Sequence, residues 1–239
     1  MSVNKYQVQS MFKSTAIHIF LISVTMTCIF PIFWMIRSAF MSKDTIFVDK
    51  ALIPAQLNMG NFAIAWTKGN FAVYFLNSVI YTTCVVGGIV IISSLAAYAF
   101  SRLKFPGKDA IFYLFVAAMM IPLPGSFVPL FVMMTKLHLT NTHFGYILCM
   151  INVGLSMSIL LLKTFFDKMP SDLEDAARID GCSKLGIWWY VALPLARPAI
   201  AVIVIFNSLN VWNEYILATL LLSDTKLMPL QRGLMVFQG

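Results

Sequence analysis

Five stretches of this chain carry almost no Asp, Glu, Lys or Arg over lengths that meet or approach a bilayer crossing: 17–36, 71–100, 110–135, 144–162 and 199–222. A helix rises ~1.5 Å per residue, so about 20 apolar residues cover the ~30 Å hydrocarbon layer. No water is present there to satisfy exposed backbone groups, which favours helices for runs of this kind. The fold class is therefore all-α, an integral membrane protein with five predicted spans in a helical bundle. The third stretch holds Pro122, Pro124, Gly125 and Pro129. Prolines cannot donate to the helix ladder, so this span is predicted to kink or break. The second stretch exceeds what a bilayer needs, so part of it lies at the interface or the helix tilts.

Composition removes the soluble alternatives. Apolar residues make up 59% of the 239 and charged residues 11%, against about 45–50% and about 25% in ordinary globular chains. A soluble enzyme, a disordered tail and a secreted scaffold are all excluded. The net charge of +7 does not indicate a nucleic-acid partner, because the Lys and Arg residues fall between apolar runs instead of clustering on one solvated face. Cys28, Cys84, Cys149 and Cys182 are far apart and form no C-x-x-C, so no zinc site or disulfide framework is suggested.

Basic residues near span ends set orientation. With the N-terminus inside, the inner segments hold Lys5, Lys13, Arg102, Lys104, Lys108, Lys163, Lys168, Arg178, Lys184 and Arg197. The outer segments hold Arg37, Lys43, Lys50, Lys68, Lys136, Lys226 and Arg232. This bias makes 1–16 a cytoplasmic N-terminal segment, 17–222 the membrane domain and 223–239 an outer C-terminal segment.

The inner loop 163–198 is rich in helix signals. Ser171 and Glu174 have the spacing of a capping box, in which the serine caps an amide and the glutamate reaches back. The helix is expected to stop at Asp180-Gly181, where glycine adopts the left-handed conformation cheaply. A second segment, 183–193, carries Leu185, Ile187, Trp188, Trp189 and Val191 and is closed by Pro194 and Pro198. Ala176 and Ala177 are small enough to let another backbone approach.

The pattern Asp175-Ala176-Ala177-x-x-x-Gly181-x9-Val191-x-Leu193-Pro194 resembles the EAA loop of permease subunits in bacterial binding-protein-dependent ABC importers, with Asp175 and Val191 in place of the usual Glu and Ile. Asn77-Ser78, the run from Ala96 to Gly107, Met120-Ile121-Pro122, Pro129-Leu130 and Trp212-Asn213-Glu214-Tyr215 are similar to the smaller permease of the maltose-transporter type. This resemblance implies a type I ABC importer permease fold in the bacterial cell membrane. It implies as partners a second permease, two ATPase subunits, an extracytoplasmic solute-binding protein, membrane lipid and a carbohydrate substrate. Glu174, Asp175, Ala176, Ala177, Asp180, Gly181, Leu193 and Pro194 become the expected ATPase-coupling residues. The family also has a sixth span that is not in this sequence; truncation, a partner's surface in its place, or an inactive subunit all stay open.

Glu214 is the only acid within a predicted span, and an intramembrane charge is costly enough to mark a candidate functional site. At ~100° per residue, Asn207, Asn210 and Glu214 share a sector of ~60°, with Asn213 a further ~60° away. Such a stripe suits sugar hydroxyls, or it bonds neighbouring helices. Asn77 in the second span carries the same two readings.

There is no G-x-x-x-x-G-K-[ST], so the chain is expected to hold no cofactor, with ATP and Mg on the partner ATPase. Neither H-E-x-x-H nor G-x-S-x-G occurs, and the histidines form no recognisable metal set, so neither an enzyme nor a metal site is expected. Two other readings stand beside the importer subunit: a solitary secondary transporter or channel using Glu214, and a structural subunit without transport activity.

Overall fold

The computed structural model describes residues 5–42, 44–46, 48–49, 51–54, 57–67, 69–121 and 123–238. Lys43, Lys50 and Lys68 from the segments predicted to lie outside, and Pro122 from the third stretch, are not among them. Every regular element among the described residues is helical, and the chain divides into two compact units, Met1–Lys68 and Gly69–Gly239.

The first unit contains α1 (Lys5–Ala39) and α2 (Gly60–Thr67). From Ile17 to Ile36 the large apolar side chains of α1 are exposed on every side, as expected of a helix whose surroundings are lipid. Arg37 gathers the loop that follows. Its Nε donates to the Ala51 carbonyl at 2.6 Å, one Nη donates to the Asp49 carbonyl at 2.8 Å, and the guanidinium stacks 4.7 Å from the Trp34 ring. Asn61 donates to the carbonyls of Ala39 and Met41, closing α2 back onto the end of α1.

The second unit runs through α3 (Phe71–Arg102), α4 (Lys108–Ala118), α5 (Leu123–Lys136), α6 (His143–Asp167) and α7 (Asp172–Ile179). A kinked element follows: α8 (Lys184–Ile187), a π-helical turn Trp188–Ala192 and α9 (Leu193–Leu195). Then come α10 (Arg197–Asn213), α11 (Ile216–Leu221), a 3₁₀ turn Thr225–Leu227 and α12 (Leu230–Gln238). Helices α3 and α6 lie side by side in the same direction. Tyr81 meets Tyr146 at one end, with ring centroids 4.6 Å apart, and Arg102 meets Phe166 at the other. Their shared core of Tyr81, Val85, Ile89, Tyr146, Met150, Leu162 and Phe166 also receives Ile203 and Val211 of α10.

Among the described residues three helices are long and apolar enough to cross a membrane, within Lys13–Ala39, Phe71–Arg102 and His143–Asp167, and a bent pair, Lys184–Leu195 with Arg197–Asn213, makes up to four. Five unbroken spans are not found among the described residues. The predicted span 110–135 is two helices, α4 ending at Ala118 and α5 beginning at Leu123. The predicted span 199–222 also breaks, at Glu214 and Tyr215, where the chain turns extended (Glu214 φ −70°, ψ 125°) before α11 begins. The fourth helix extends past its predicted end because Lys163 and Asp167 pair at 2.7 Å on one helical face, an i,i+4 contact that stabilises the polar last turns.

Candidate functional site

The loop between α6 and α10 is built around α7. Its first turn carries Asp172, Glu174 and Asp175 near the positive end of the helix dipole. The capping box is absent. Ser171 sits in helical backbone (φ −65°, ψ −29°), and its side chain caps no amide. Glu174 does not reach back because it is drawn inward by Arg102: Nε lies 3.0 Å from Oε1, with the two side chains 15% and 9% exposed. One Arg102 Nη also donates to the carbonyls of Phe166, at 2.5 Å, and Met169. Removing one partner of a well-buried ion pair costs about 3–5 kcal/mol because the other charge is left buried and uncompensated, so neither residue can be lost from the loop without consequence. The exposed Asp175–Arg178 pair, at 2.6 Å, belongs to the weak class of such pairs.

At its other end α7 closes in a Schellman motif. The Cys182 N–H donates to the Ala177 carbonyl at 3.0 Å and the Gly181 N–H to the Arg178 carbonyl at 3.1 Å. This geometry needs a left-handed residue, and Gly181 supplies it with φ +82°. Asp180 is the residue at which the helix ends. Ser183 then caps the Gly186 amide at 3.1 Å, starting the element that carries the π turn. There the Leu193 N–H bonds back to the Trp188 carbonyl. Pro194 follows and has no N–H to give, so it cannot continue the ordinary ladder. Beyond Ala196 the chain bends by 76° into α10.

Glu174 and Ala177 are the buried residues of α7. Ala176 and Asp175 face outward, as does Ile179, which is 87% exposed, and Leu185 on the next helix is 68% exposed. The loop therefore presents a small-residue face with apolar side chains beside it, while its acidic inner face is anchored.

The polar residues of the predicted stripe separate. Asn207 is buried and donates to Ser158 Oγ at 3.2 Å and to the Ile203 carbonyl at 2.9 Å. With Asn210, Ser158, Met150, Gly154 and Phe206 it lines a cavity of about 240 Å³ between α6 and α10. Asn210 is exposed and, among the described residues, makes no side-chain hydrogen bond. Asn213 donates to the Leu209 carbonyl. Glu214 is not in that cavity. Its two carboxylate oxygens accept the N–H groups of Leu217 at 2.6 Å and Ala218 at 2.9 Å, and Oε2 also accepts the Tyr146 hydroxyl at 3.2 Å. Asn77 is elsewhere again, donating to the Lys226 and Met228 carbonyls at 2.8 and 3.0 Å. Beside it the Tyr81 hydroxyl donates to the Leu227 carbonyl, and Ser78 Oγ accepts the Leu230 N–H. These four bonds hold the segment after Leu222 against the start of α3.

Residues 88–236 match the family described as binding-protein-dependent transport system inner membrane component. The chain belongs to that family. The match spans the second half of α3, all of α6 and α10, and the whole loop around α7. Among relatives, the chain is 33% identical to the diacetylchitobiose uptake system permease protein NgcG of Streptomyces coelicolor, over 92% of this chain and 73% of that one. It is 26% identical to the maltodextrin transport system permease protein MalD of Streptococcus pneumoniae, over 98% and 83%. The crystal structure of a bacterial ABC transporter involved in the import of the acidic polysaccharide alginate superposes with a TM-score of 0.80, covering 97% of this chain and 80% of that one at 24% identity, and so shows the fold. The protein is thus a membrane permease subunit of an ABC importer, with the type I permease architecture. Arg102 is the permease residue that sequence reasoning missed. In the sequence it is a cation at a span end, a topology signal, and nothing local connects it to Glu174.

Proposed function

We propose that this subunit forms part of the translocation pathway of an ATP-driven carbohydrate importer and that the loop around α7 docks on the ATPase. The single observation that carries this reading is the two-sided character of α7. Its inner face is tied down through Glu174 and Arg102, while Ala176 and Ile179 are presented outward between acidic first-turn residues and the Gly181 turn. A surface helix that served only as a connector would not need both. The assembly comprises a second permease, two ATPase subunits that hold the ATP and Mg, and an extracytoplasmic solute-binding protein. The N-terminus and the 163–198 loop lie on the cytoplasmic side.

Sugar transport is the reading favoured by the relatives' substrates, and Asn210 is the pathway residue best placed to serve it. A carboxamide offers both a donor and an acceptor to hydroxyl groups, and this one is unused by the fold. Glu214 as a proton or cation site has less support, because its carboxylate already serves two amides and a tyrosine hydroxyl.

Site-specific photo-crosslinkers placed at Ala176, Ile179 and Lys136 in native membranes test the docking. Adducts with the ATPase are expected from the first two positions and not from Lys136. Adducts from Lys136 alone would reverse the orientation, and none from Ala176 or Ile179 would dismiss the docking face.

A further inference from the structure

Helix α7 has eight residues, of which two are buried. Ala177 contributes one methyl group to packing, which cannot by itself fix the direction of a helix. The first turn has no serine cap, and the chain enters it through a short connection after Lys168. What fixes that turn is the Arg102 guanidinium. Its Nε lies 3.0 Å from Glu174 Oε1 on α7, a charge contact without hydrogen-bond alignment, and one Nη donates to the carbonyls of Phe166 in the last turn of α6 and Met169 in the connection. Because Arg102 is the last residue of α3, one planar group joins α3, α6 and α7. A guanidinium presents its donors in fixed directions, so the two carbonyl bonds fix its own orientation against α6, which an ammonium point charge would not do, and its charge then holds the Glu174 carboxylate of α7. Neighbouring bonds brace the junction: Ser101 Oγ donates to Asp167 at 2.7 Å, and Lys163 pairs with the same carboxylate.

We infer that Arg102 is a positioning residue that makes α7 a rigid extension of α3 and α6. A displacement of the exposed face of α7 then moves those two helices together instead of flexing the loop. This inference rests on the docking reading above. Without Arg102, α7 can still meet a partner, but its movement is taken up in the connection before Asp172 and at the Gly181 turn.

The test uses the assembled complex purified from native membranes, with Cys28, Cys84, Cys149 and Cys182 each changed to Ala. Spin labels are attached at Ile179→Cys on α7 and Lys104→Cys beyond α3, both at exposed positions. Their separation is measured by pulsed electron paramagnetic resonance without nucleotide and with ATP plus vanadate. With Arg102 present, one narrow distance is expected in both conditions. Arg102→Gln and Glu174→Gln should give broad distributions that shift with nucleotide, and Arg102→Lys, which keeps the charge but loses the fork, should fall between. A narrow, nucleotide-independent distance in either Gln variant overturns the inference, and Glu174→Gln carries the comparison if Arg102→Gln does not insert. Protection of Ile179→Cys from a maleimide by the bound ATPase is scored separately. Its absence removes the docking reading, while the nucleotide-free distances still decide whether Arg102 holds the helix.

Discussion

The Tyr146 hydroxyl of α6 donates to the Glu214 carboxylate at 3.2 Å, joining the two helices where α10 ends. The same carboxylate accepts the first free amides of α11, so the acid replaces the helical bonds lost at the break. The sequence leaves this charge between a pathway role and helix bonding, and here its carboxylate bonds α6 and α11.

Glu214→Gln keeps the shape but leaves one oxygen to serve two amides and the tyrosine. Loss of a helix cap costs about 0.5–2 kcal/mol, so the purified protein should melt at lower temperature while its ATP-dependent uptake keeps the wild-type pH profile. An altered pH profile with unchanged melting would instead favour Glu214 as a proton site.

Gly154→Ala should destabilise the α6–α10 contact. A Cβ at this position would lie 2.2 Å from Asn207 Oδ1 and 2.6 Å from Ile89 Cδ1, and overpacking of this kind costs about 1–3 kcal/mol. Thermal unfolding in detergent measures the loss. Adding Asn207→Ala should restore part of it, since the two changes share one space.

Asn77→Leu removes the donor to the Lys226 and Met228 carbonyls. Each such bond is worth about 0.5–1.5 kcal/mol net, with more lost where the carbonyls stay buried. Limited trypsin treatment should cut after Lys226 or Arg232 faster than in the wild type. Tyr81→Phe should move cleavage the same way by a smaller amount, because only the Leu227 bond is lost.

Asn210→Leu should reduce solute uptake without lowering basal ATP hydrolysis or the amount of assembled complex. The side chain makes no hydrogen bond among the described residues, so a fall in assembly in this variant would show that Asn210 contacts a neighbouring helix and not the solute.

The helical course was legible because charge-free runs and proline positions act locally. The division of the proline-bearing third stretch into α4 and α5 and the left-handed turn at Gly181 follow from the same local chemistry. What failed was pairing at a distance. The Ser171–Glu174 spacing satisfies a capping box, yet Arg102, 72 residues before Glu174, offers the carboxylate a stronger and more buried partner than an exposed amide. The stripe of Asn207, Asn210 and Glu214 assumes an unbroken helix, and Glu214 is the residue at which that helix ends. Periodicity cannot register this, because the break is held by amides beyond it, on Leu217 and Ala218.

Co-purification through a tag on this chain, from its native membrane, tests the docking account most directly, with Gly181→Val as the comparison. A β-branched residue at φ +82° strains the turn after α7, while the membrane helices are untouched. The wild-type chain should bring a second permease and an ATPase with it, and the Gly181→Val chain should keep the permease and lose most of the ATPase. Recovery of the wild-type chain alone, or equal ATPase with both chains, would contradict the account.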